Sequence, residues 1–132
     1  MSYKDDLDKL IIWAESKGYS VVLSTSEDNS IDSISKLIFI STNQSVKKQV
    51  CVLLHECGHA QVFSNNGSIS MGSVGKKWGE KSKKRKTSVV IEEVEAWRRG
   101  INLAKKLKIS LTEDEIKLNM INAISKYIKW AQ

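Results

Sequence analysis

The chain has 132 residues, room for one compact domain around a single core. Its hydrophobic fraction of 41% and charged fraction of 27% are those of an ordinary soluble globular protein, and no apolar stretch approaches the roughly 20 residues that span a bilayer. The formal charge of +6 is local, because residues 76–86 hold seven basic groups against one acid and the rest of the chain balances.

The polar, acidic start, Met1-Ser2-Tyr3-Lys4-Asp5-Asp6, does not read as a signal peptide, so a cytoplasmic location is expected. Ser2 is placed to cap a first helix in which Leu7, Leu10, Ile11 and Ala14 recur at helical spacing until Gly18 stops it. Residues 19–25 are rich in β-branched side chains and predict a strand. Residues 27–33 read as polar turn material. Residues 35–41, with Leu37-Ile38-Phe39-Ile40, predict a second strand, antiparallel to the first if the two form a hairpin. Thr42 or Ser45 then caps a helix running to about residue 63.

Residues 64–86 break the periodicity with Asn65-Asn66-Gly67, Gly72, Gly75 and Gly79 among serines and lysines, and a basic, flexible loop is expected there. A helix follows over about 87–108. Thr112-Glu113-Asp114-Glu115 is a capping-box signature that opens a last helix, with Ile116, Met120, Ile121, Ile124 and Ile128 along one stripe. The pattern predicts a single α+β domain over 1–132, with a small antiparallel sheet or hairpin packed on the helix over 45–63 and two further helices behind it.

That helix carries His55-Glu56-Cys57-Gly58-His59, a match to H-E-x-x-H, in which two imidazoles one turn apart hold zinc beside a carboxylate. These are the only two histidines in the chain. Gly58 suits a tight helix crossing. Cys51 and Cys57, six residues apart on one helix, point about 120° away from each other and cannot bridge. Reduced thiols are the simplest reading. Cys51 sits one turn before His55 and stays open as a ligand, although a buried cysteine usually serves as a small hydrophobe.

A catalytic zinc site takes three protein ligands and leaves a fourth position for water. No histidine remains to supply the third, and the candidates cluster in Glu92-Glu93-Val94-Glu95. At about 100° per residue, Val89, Val90, Trp97, Gly100, Ala104 and Leu107 surround Glu93, which puts it at the centre of the apolar face. Glu92 lies at its margin and Glu95 on a mostly polar side. Burying an unpaired carboxylate is costly and a metal compensates, which favours Glu93, with Glu92 and Glu95 as alternatives.

The motif followed by Glu93-Val94-Glu95-Ala96 resembles the gluzincin-type zinc metallopeptidases, and in particular small phage-encoded and ImmA/IrrE-type metallopeptidase-like proteins. The resemblance covers residues 50 to about 104. It implies a zincin-like domain, Zn2+ on His55, His59 and Glu93, and peptide-bond hydrolysis with Glu56 as the general base. It also implies that the strand over 35–41 forms the active-site edge and pairs with an extended peptide or protein substrate. One departure is Trp97, which stands where many gluzincins have an aspartate supporting a histidine. No oxyanion-stabilising side chain is identifiable from sequence.

Two other functions fit the same residues. One is a zincin-fold regulatory or binding protein with a structural metal. The other is a nucleic-acid-associated module that uses the basic segment 76–86, including Trp78, to bind an anionic partner. The plain reading of that segment is a solvated loop.

Overall fold

A computed structural model describes residues 2–26, 28–65 and 83–132. Helix α1 (Tyr3–Ser16) begins at a reciprocal capping box: Ser2 Oγ accepts from the Asp5 amide at 3.2 Å, and the Asp5 carboxylate accepts from the Ser2 amide. Its far end is a Schellman turn. Tyr19 N–H donates to Ala14 O and Gly18 N–H to Glu15 O, with Gly18 in the left-handed region at φ 89°. Leu7, Leu10 and Ala14 face the core, as their spacing predicts.

The sheet departs from the expected hairpin. Strands β1 (Ser20–Ser24), β2 (Ser30–Asp32) and β3 (Leu37–Ser41) lie in the order β1-β3-β2. β3 runs parallel to β1, with Ser20 opposite Leu37 and Ser24 opposite Ser41, and antiparallel to β2. The sheet is therefore mixed, and the hairpin is β2–β3. Asp32 Oδ1 accepts from the Ile34 and Ser35 amides to shape its turn, which Lys36 closes at φ 61°. β2 falls in the stretch expected to be only turn, because Ser30-Ile31-Asp32 offers one apolar residue and no run of alternation. The crossover from β1 is set by side chains: Asn29 Oδ1 accepts from the Ser41 amide at 2.8 Å and from Gln44 Nε2 at 2.9 Å.

Helix α2 (Val46–Asn65) is capped by Ser45, whose Oγ accepts from the Lys48 amide at 3.1 Å, rather than by Thr42. It is apolar on nearly every side and runs through the middle of the molecule. Ile38 and Ile40 of β3 join it in the core, with Val50, Leu53, Leu54 and Cys57 fully buried.

Helix α3 (Lys83–Leu107) starts four residues before the predicted boundary, so Lys83, Lys84, Arg85 and Lys86 are helical rather than loop. The rest of the predicted basic loop, residues 66–82, lies outside the described residues. Helix α4 (Glu113–Ala131) opens on the predicted capping box, with Thr112 Oγ1 accepting from the Glu115 amide. Of its expected stripe, Ile116, Met120 and Ile124 reach the core while Ile121 and Ile128 stay exposed. Among the described residues, no helix is long and apolar enough to cross a membrane.

Candidate metal centre

Two glycines set the distance between α2 and α3. A Cβ on Gly58 would stand 1.8 Å from the Ala96 carbonyl oxygen, and one on Gly100 would stand 2.9 Å from that of Leu54. The backbones touch at these two points, as the small residue inside the motif predicts. Helical pitch then decides which side chains line each side of the seam.

On one side the three predicted ligands meet. His55 Nε2 lies 2.8 Å from Glu93 Oε2, and His59 Nε2 lies 3.1 Å from Glu93 Oε1. One ligand atom from each of the three falls within 4.8 Å of the others. Glu93 and His59 are buried, and His55 keeps 15% of its side-chain surface exposed. Two imidazole nitrogens and a carboxylate oxygen are a donor set that can hold a divalent metal ion. Both Nε2 atoms point to the shared carboxylate, so they are the nitrogens available to an ion.

The other two carboxylates of α3 separate as their positions on the helix require. Glu92 is buried, with Oε2 3.9 Å from His59 Nδ1, a nitrogen that has no hydrogen-bond partner among the described residues. Glu92 thus stands beside the second nitrogen of the ring, where a carboxylate can orient a ligating imidazole. Glu95 points away and takes Arg98 and Arg99 in ion pairs of 2.6 and 2.8 Å.

Electrostatics couple the cluster. Burial opposes charge on Glu93, but the two imidazoles outweigh it and hold the carboxyl down at about 2. Burial likewise opposes charge on His59, and Glu93, Glu56 and Glu92 together overcome it and raise its pKa. Glu56 is also buried, which pushes its carboxyl up while the imidazoles pull it back.

Two contacts escaped the sequence reading. Trp97 stacks on His55, with ring centroids 4.3 Å apart and planes 8° from parallel, so packing against the indole orients the imidazole. Tyr127 of α4 lies close enough to Glu93 for the carboxylate to act on its phenol. Burial first, then the Glu93 charge, pushes that phenol up to about 12. The only sequence cue was its place three residues after Ile124, beside the face of α4 that carries Ile116, Met120 and Ile124.

Cys51 is not part of the cluster. It and Cys57 are free, buried thiols, and burial pushes Cys51 up to about 11 and Cys57 further. The strand expected to be an active-site edge is also placed differently. Among the described residues β3 is central, flanked by both other strands, and the edges of the sheet belong to β1 and β2. Its apolar run buries it.

Compared with known protein families, with characterised proteins and with solved structures, the chain matches none.

Proposed function

We propose that the protein is a zinc-dependent metallopeptidase. The observation that carries this reading is the convergence of His55, His59 and Glu93, with Glu56 on the same turn of helix as the histidines. The donor set, two neutral nitrogens and one carboxylate, suits Zn2+ with one coordination position left open. Zinc held there supplies a polarised carbonyl and a water acidified toward neutrality.

The chain's own groups do the rest. Glu56 accepts the proton of the attacking water on its carboxylate and passes it to the leaving amine. A carboxyl raised by burial is better matched to that exchange near neutral pH than a solvated one. Tyr127, a phenol protonated at neutral pH whose pKa burial and Glu93 raise further, can donate a hydrogen bond to the oxygen that gains charge. Trp97 holds the His55 ring in its plane and keeps water from that side.

The test is cleavage of a mixed peptide library by zinc-loaded protein. Glu56→Gln should lower turnover at least about 10²-fold with zinc content unchanged. Tyr127→Phe should cost about 10²-fold in kcat with little change in zinc binding. Wild-type cleavage that survives Glu56→Gln would refute the assignment. The burial of His59 and Glu93 favours a second reading, a structural metal in a regulatory protein. Stoichiometric zinc with no cleavage of any library member would select it.

A further inference from the structure

The opposite side of the α2–α3 seam holds a cavity of about 520 Å³, within the size range of small-molecule sites. Ala60, Gln61 and Ser64 of α2 line it, on a face roughly opposite His55 and His59. Among the described residues, its wall carries Lys17, Lys36, Arg99 and Lys106 and no acidic residue. These cations come from four places: the end of α1, the β2–β3 turn, the middle of α3 and its last turn. Arg99 is committed to Glu95. Among the described residues, Lys17, Lys36 and Lys106 have no carboxylate partner, so three like charges share one concave wall.

Two aromatic rings complete the lining. Half-buried Trp13 lies 5.7 Å from Lys17 Nζ, and Tyr19 lies 5.0 Å from Lys36 Nζ. Tyr19 is 4% exposed, and its buried hydroxyl has no hydrogen-bond partner among the described residues. An unpartnered buried hydroxyl costs free energy unless something supplies the missing bond. Lys36 is held over that ring by a left-handed backbone that disfavours any side chain with a Cβ.

We propose that this cavity binds a nucleotide, with the phosphates on Lys17, Lys36 and Lys106 and the base against Trp13. Phosphate charge answers three ammonium groups that have no carboxylate partner among the described residues, and a planar ring answers the aromatic wall. A bare inorganic anion would use the lysines and leave the rings idle. The site is separate from the metal cluster and stands whether or not the protein is a peptidase.

The experiment is titration of the full chain, with and without zinc, by ADP, pyrophosphate and adenosine, followed by calorimetry and by amide and indole NMR shifts. ADP should shift Trp13, Tyr19 and Lys36, bind about tenfold more tightly than pyrophosphate, and far more tightly than adenosine. Lys106→Glu should weaken ADP at least tenfold. Lys36→Gly, which the left-handed backbone favours and which therefore keeps the fold, should do the same. Equal affinity for ADP and pyrophosphate would overturn the nucleotide assignment. Shifts centred on residues 55–59, or on 76–86, would place the anion elsewhere and overturn the site, as would no binding at millimolar ADP.

Discussion

The two sides of the α2–α3 seam are built from the same pair of helices and hold opposite chemistry. One side gathers the buried carboxylates Glu56, Glu92 and Glu93 near two imidazoles. The other opens a cavity walled by lysines and an arginine. The difference shows how little is needed to sort charge: helical pitch, and two glycines that let the backbones meet. On α3, Glu93 and Glu95 are two residues apart, yet one is buried against histidines and the other pairs with arginines near the surface.

The comparison breaks most completely if the seam is forced open. Gly58→Val puts a side chain where the Ala96 carbonyl stands 1.8 Å away, so the helices must separate. A loss of about 3 kcal/mol or more is expected in urea denaturation, together with loss of zinc in elemental analysis. The next effect separates the carboxylates. With zinc at a hundredfold excess over its Kd, the wild type should gain about 2.7 kcal/mol, read as a rise in Tm that chelation reverses. Glu93→Gln should lose most of that gain and Glu95→Gln should keep it. An equal loss in both would mean that burial does not select the ligand.

A smaller effect is a pH optimum of the metal-free protein. Glu93 has a depressed pKa in the folded state, so its contribution is complete above its ordinary 4.5 and disappears as pH falls toward about 2. His59 has a raised pKa, so its contribution is complete below its ordinary 6.5 and is lost as pH rises through the higher folded value. Thermal stability should therefore peak between about 4.5 and 6.5, and Glu93→Gln should flatten both shoulders. Smallest is Gly100→Ala. Its Cβ would meet the backbone oxygen of Leu54 at 2.9 Å, so the helices must shift slightly, and alanine's better helix propensity offsets only part of the cost. A net loss of about 1 kcal/mol of unfolding free energy is expected from urea denaturation, with less effect on zinc content than Gly58→Val.

Much of this was legible in the chain. Helical spacing and capping chemistry are local, so Ser2, Gly18 and Thr112 marked their helix ends, and the wheel around Glu93 singled it out from Glu92 and Glu95. The sheet was legible only in part. A parallel pair forms between strands distant enough to admit a third, and the third here was a three-residue strand with one apolar side chain. Its pairing depends on Asn29 and Asp32 reaching across turns, which no periodicity reveals.

The sequence by itself determined the candidate ligand residues, their spacing on α2 and the face of α3 that meets them, because spacing and face depend on the fixed pitch of a helix. The tertiary structure alone decided three further matters. Trp97 lies flat on His55, Tyr127 arrives beside Glu93 from a helix more than thirty residues downstream, and lysines from distant elements share one wall. Each depends on how separate elements pack, and packing brings together residues whose separation along the chain carries no signal of contact.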